Sequence, residues 1–195
     1  MAGTQKGLVV VFGGSGFVGR HIVRRLAKDG FKLRVVMRRP NEALFLKTAG
    51  RTGQIELVQG NIRDETSSRA ALQGASAVIN AVGILYETGP QKFDAVQSAG
   101  AARLATLAAE QSIDRFIQIS AIGADAGSAS AYARSKAEGE AAILAACPQA
   151  HVLRPSIVVG PEDDFFNRFA RMAQIAPALP LIGGGLTRYQ PVSVF

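Results

Sequence analysis

The sequence predicts an α/β chain wound on both faces of a parallel sheet. Three observations predict it. Short apolar runs of strand length alternate with helical patterns up to about residue 156, and sustained β-α-β alternation closes a parallel sheet. The first run passes through a glycine-rich loop directly into a helix. The chain has 195 residues, 48% hydrophobic and 19% charged, enough for a sizeable core with an ordinary globular mix.

The elements follow in order. Leu8 to Phe12 is a buried strand, and glycines stand at 13, 14, 16 and 19. A helix from about Phe17 to Asp29 turns Val18, Ile22, Val23 and Leu26 inward, with Arg20, Arg24, Arg25 and Lys28 largely on the other side. Gly30 ends it. Lys32 to Met37 is strand two, a short helical piece covers Asn41 to Ala49, and Ile55 to Gln59 is strand three. A helix from Glu65 to Gln73 leads to strand four, Ala77 to Ala81, and a longer helix runs from about Pro90 to Gln111. Arg115 to Ser120 is strand five. The loop from Ala121 to Ser130 opens a helix from Ala131 to Ala146, and His151 to Leu153 is strand six. Beyond Ser156 the pattern changes: an extended piece from Ile157 to Gly160, a helix from Asp163 to Ala176, then Pro177, Pro180 and Gly183 to Gly185 as breakers. We therefore expect a nucleotide-binding domain over 1–156 and the start of an incomplete C-terminal region over 157–195, with the substrate part expected to be largely absent.

Composition narrows the functional classes. No apolar run reaches the roughly 18 residues of a membrane-spanning helix. The opening MAGTQKG is too short and polar for a signal peptide. These features and the single Cys147 suit a reducing, cytoplasmic compartment. The net charge is +7, and six arginines lie between Arg20 and Arg39. Such a surface favours anionic partners: a phosphorylated cofactor, acidic protein surfaces or anionic lipid head groups. No nucleic-acid module motif accompanies it, so nucleic acid is not expected. His21 and His151 lack metal-like spacing and read as structural; no metal site is expected.

The loop Gly13, Gly14, Ser15, Gly16, Phe17, Val18, Gly19 is a G-x-x-G-x-x-G variant of the dinucleotide fingerprint, placed between strand and helix as that motif requires. It lets the backbone approach a pyrophosphate at the N–H end of the helix. In NAD-binding versions an acidic residue ends strand two and holds the ribose hydroxyls. Here Arg38 and Arg39 stand there instead. Guanidiniums match a 2′-phosphate, so the sequence prefers NADP(H) over NAD(H), unless the pair is only a solvated turn. Asp64 follows strand three, where it could reach the adenine edge or cap the next helix.

Tyr132 and Lys136 form Y-x-x-x-K on one helix face, with Gly139 continuing that face for a close approach. An ammonium beside a phenol favours the phenolate, allowing proton exchange with a carbonyl or alcohol. Ser120, ending strand five, could hold the substrate oxygen, and Asn80, ending strand four, a backbone group or water. The bland alternative is surface amphipathicity.

Together these residues resemble the short-chain dehydrogenase/reductase superfamily, in its extended and atypical branch. The resemblance rests on the glycine loop, Asp64, Asn80-Ala81-Val82-Gly83, Ser120, Tyr132 with Lys136, and Arg154-Pro155. The runs Phe12 to Arg20 and Leu153 to Arg168 are similar to bacterial relatives of the nucleotide-binding accessory subunit of respiratory complex I. The resemblance implies a Rossmann fold and a tightly held NADP(H) contacted also by Asn61, Ala81, Val82, Gly83, Tyr132, Lys136 and Pro155. It implies a place beside other complex I subunits, peripheral on the cytoplasmic face of a bacterial inner membrane, with the cofactor structural or sensory. The group often loses the Tyr–Lys pair and continues well past Phe195. The alternative is a free-standing NADP(H)-dependent oxidoreductase or epimerase, in which Tyr132 is the general acid/base, Lys136 tunes it and Ser120 polarises a carbonyl.

Overall fold

A six-stranded, all-parallel sheet forms the first of two units, in the order β3-β2-β1-β4-β5-β6. The computed structural model describes residues 6–176, 178–179, 182–186 and 188–195. Pro177 and Pro180, expected to break the chain, lie outside the described residues. The strands are β1 Lys6–Phe12, β2 Phe31–Met37, β3 Ile55–Gln59, β4 Ala77–Asn80, β5 Phe116–Ile119 and β6 His151–Leu153. The helices are α1 Phe17–Lys28, α2 Glu65–Leu72, α3 Ala99–Glu110 and α4 Ala131–Ala146.

The two faces of β1 explain the double winding. Successive side chains of a strand point to opposite faces. Val10 and Phe12 join one core with Leu72, Leu104, Leu107, Phe116 and Ile143 from β5, α2, α3 and α4. Val9 and Val11 join the other with Val23, Leu33, Leu46 and Ile55. Because β1 is buried on both sides, its sequence is a continuous apolar run rather than an alternating one.

Several elements differ from the sequence reading. The piece after β2 is a 3₁₀ segment over Pro40–Ala49, kinked at buried Ala43 (φ −119°). The long helix expected from Pro90 instead begins with a π-helical turn, Asp94–Ser98, before α3. A Thr88–Gln91 bridge precedes it and fixes the entry of the chain. Strand four ends at Asn80, one residue early, because the Asn80 side chain turns back to accept the Val82 N–H.

The second unit, Pro155–Phe195, begins two residues before the expected boundary. It carries β7 Val158–Val159 paired parallel with β8 Val192–Ser193, and α5 Phe166–Ile175. Helix α5 starts later than Asp163 because that carboxylate caps it, accepting the Phe166 N–H at 2.6 Å and the Asn167 N–H at 3.3 Å. Phe165 stacks edge-on against Phe166 and Phe169 at 5.1 and 5.3 Å.

Candidate functional site: a dinucleotide cleft with a basic lobe and a buried polar end

The carboxyl ends of β1, β2, β3 and β4 surround a cleft of about 230 Å³. It opens where the sheet order reverses between β1 and β4, the place where doubly wound sheets bind ligands. Gly13, Ser15 and Gly16 line it from the loop, Arg38 from the end of β2, Asn61 past β3, and Ala81, Val82 and Gly83 past β4. Gly16 is the N-cap residue of α1, and no side chain caps that helix. The first-turn N–H groups of Phe17, Val18 and Gly19 therefore have no side-chain cap, and the positive end of the helix dipole there suits an anion. Gly19 brings the helix onto the loop itself: a Cβ there would lie 2.8 Å from Gly14 Cα. Buried Gly14 packs beneath Val35.

A second depression of about 350 Å³ shares Ser15, Met37 and Arg38 with the cleft and adds Arg20, Arg39, Glu42 and Phe45. Arg20 folds back from the first turn of α1. Its Nη2 donates to the Ser15 carbonyl at 3.0 Å, its Nε to that of Gly16 at 3.3 Å, and its guanidinium lies 5.0 Å from the Phe45 ring centroid. The sequence reading placed Arg20 on the outer face. The readable signal was its position immediately after Gly19, within reach of the loop carbonyls. Arg39 is paired with Glu42 at 2.9 Å. Arg38 has no ion-pair partner among the described residues. Asp64 caps α2, accepting the Ser67 N–H at 2.8 Å, and this bonding holds its carboxyl below the usual range. Of its two readings, the structure realises the cap.

Beyond Gly83 the cleft meets a buried polar cluster. Asn80 donates to Gln118 Oε1 at 2.8 Å and accepts the Val82 N–H at 3.1 Å, which fixes the loop leaving β4. Gln118, missed in the sequence, is buried and also donates to the Ile119 carbonyl at 2.9 Å. Ser120 is buried; its N–H donates to the Leu153 carbonyl, and its hydroxyl has no partner among the described residues. Lys136 is 6% exposed and donates to the Ile119 carbonyl at 3.3 Å. Burial pushes its pKa down to about 8, against the opposing charge of Glu140. Glu140 is itself buried and bound by the Arg154 guanidinium.

Half-buried Tyr132 packs edge-on against Phe93 at 5.8 Å. Desolvation raises its phenol, and the Lys136 ammonium lies 6.0 Å from the ring centroid. Helix α4 reaches this position because Gly139 packs directly on the Gln97 carbonyl of the π-helical turn, where a Cβ would collide. Lys136 in turn sits close to the cleft, since a Cβ on Gly83 would lie 3.3 Å from its Nζ. Lys136 Nζ thus lies 6.0 Å from the Tyr132 ring centroid and bonds the carbonyl of Ile119, the residue before Ser120. Pro155, the remaining residue expected at the cofactor, belongs to the second unit.

A family model described as NAD(P)H-binding matches residues 13–157. The chain is 39% identical over 189 residues to the mitochondrial NADH dehydrogenase [ubiquinone] 1 alpha subcomplex subunit 9 of Arabidopsis thaliana, covering 96% of this chain and 47% of that protein. It is 35% identical over 182 residues to ceramide reductase of Caulobacter vibrioides, covering 93% and 56%. The chain thus spans about half the length of these curated relatives. In fold it is similar to Pen from Bacillus thuringiensis, with a TM-score of 0.81 and 17% identity over 97% of this chain and 64% of that one. The uncapped helix end, the glycine loop and Arg38 fit a dinucleotide phosphate.

Proposed function

The chain belongs to the NAD(P)H-binding family, and from that premise we propose that it holds NADP(H), in preference to NAD(H), as an accessory or assembly subunit of respiratory complex I. In this reading the cofactor is retained rather than turned over. The observation that carries the cofactor preference is Arg38. It lines both the cleft and its basic lobe, lacks an ion-pair partner among the described residues, and stands where NAD-binding relatives of the fold place a carboxylate. A 2′-phosphate gives it a bidentate partner. Similarity to the Arabidopsis subunit supports the assignment to the complex. The +7 charge suits acidic neighbouring subunits and the anionic head groups of a membrane face, where the chain would sit peripherally on the cytoplasmic side of a bacterial inner membrane. No helix among the described residues is long and apolar enough to cross that membrane.

The test is native electrophoresis of detergent-solubilised membranes. Co-migration with NADH dehydrogenase activity supports the subunit reading, and migration at monomer size in every preparation refutes it.

A second reading has its own observation. Ser120 has a buried hydroxyl without a partner among the described residues, beside the strand whose Ile119 carbonyl binds Lys136. As a reductase or epimerase, the chain would use Ser120 to hold a carbonyl oxygen, Tyr132 to exchange its proton, and Lys136 to orient the nicotinamide ribose, while Asn80 fixes the loop beside the cofactor. NADPH would supply the hydride. Similarity to ceramide reductase supports a ceramide-type substrate. Oxidation of stoichiometric NADPH by such a substrate, lost in Tyr132→Phe, decides for this reading.

A further inference from the structure

Resting on the cofactor reading above, we infer that Glu42 is a second specificity residue, an anion built into the basic lobe that moderates the NADPH preference Arg38 carries. The end of β2 carries no carboxylate, yet the 3₁₀ segment returns one to the same depression three residues after Arg39. The backbone fixes its position: the Glu42 N–H donates to the Arg39 carbonyl at 3.2 Å, and the kink at the next residue buries Ala43 to 1%. The side chain is not so fixed. Its contact with Arg39 joins groups that are 66% and 76% exposed, so it can turn toward a ligand.

The lobe therefore holds Arg20, Arg38 and Arg39 with one competing carboxylate. Each cofactor meets Glu42 differently. The adenosine ribose of NADH offers two hydroxyl donors, and a carboxylate is the natural acceptor for that diol. NADPH replaces one hydroxyl with a phosphomonoester of about −1.5 to −2 charge. That group repels Glu42 and must take Arg39 away from it. Glu42 thus helps one cofactor and opposes the other at a single position. Arg38, without such a competitor, serves the phosphate in either state.

The experiment is fluorescence titration of the purified chain with NADPH and with NADH, comparing wild type with Glu42→Gln. The expected result is opposite movement. NADPH binds tighter by up to about fivefold, the scale of one exposed ion pair, while NADH binds correspondingly weaker. In an Arg39→Gln background the NADPH gain falls to the part due to direct repulsion between Glu42 and the phosphate, while the NADH loss persists, because only the competition for the guanidinium runs through Arg39. If Glu42→Gln moves both cofactors in the same direction, or neither, the inference is overturned while the cofactor reading stands. If wild type binds neither nucleotide, the cofactor reading falls and this inference falls with it.

Discussion

Replacing Lys136 by methionine should make the ligand-free chain more stable at neutral pH. The side chain is 6% exposed, and burial lowers its pKa from 10.5 to about 8. In the unfolded chain the amine keeps its ordinary value. Below pH 8 both states are protonated, and the folded state bears the whole penalty of a buried ammonium. Between pH 8 and 10.5 the unfolded chain binds more protons than the folded one, so stability rises with pH until the penalty is gone. At about 1.4 kcal/mol per pH unit, that gap amounts to roughly 3 kcal/mol. Methionine, of similar length, removes the charge but leaves the Ile119 carbonyl without its donor, a loss of about 1 kcal/mol. Glu140 loses a neighbouring charge and keeps Arg154. The net expectation at pH 7 is a gain of about 2 kcal/mol, shrinking steadily above pH 8. Urea unfolding of both chains at pH 7, 8, 9 and 10 measures it, because titrating groups distant from Lys136 cancel in the difference. A variant less stable at pH 7, or a difference that stays flat across the series, refutes the account of Lys136 as a strained, buried amine.

Three further outcomes follow from the same geometry. Arg38→Gln should weaken NADPH binding by about 10- to 100-fold, the loss of a charge-assisted hydrogen bond, with little change for NADH; equal weakening of both by titration would contradict its role at the 2′-phosphate. Gly139→Ala should destabilise the fold by about 1–3 kcal/mol, since its methyl meets the Gln97 carbonyl, and an unchanged melting temperature would show that α4 can shift at no cost. Asn80→Ala strands both Gln118 Oε1 and the Val82 N–H, and chemical denaturation should register about 1–3 kcal/mol, where a neutral result would mean that water replaces the side chain.

Much of this architecture was legible because local and global signals agree. The apolar run of β1 is unbroken because both its faces are buried, and the glycine loop occurs where strand passes to helix. Gly139 was readable as a close approach, though not its target, since the Gln97 carbonyl comes from an element distant in sequence. The π-helical turn at Asp94–Ser98 left no readable trace, because its extra residue is stabilised by packing rather than by composition. Arg20 and Glu42 were missed for a related reason. Helical periodicity assigns Arg20 to an outer face, but a long side chain in the first turn can reach back to the Ser15 and Gly16 carbonyls. Glu42 reaches the basic lobe through a 3₁₀ kink that no spacing rule anticipates. Gln118 looked like an ordinary strand residue until β4 placed Asn80 beside it.

The most direct measurement of the central claim is to purify the protein, denature it and identify the released nucleotide by mass. The account predicts NADP(H) in near-stoichiometric amount, or, if the cofactor is lost in purification, stabilisation by added NADPH of about 2.7 kcal/mol at 100 times its Kd. A chain that releases no nucleotide and gains no stability from NADPH or NADH would contradict it.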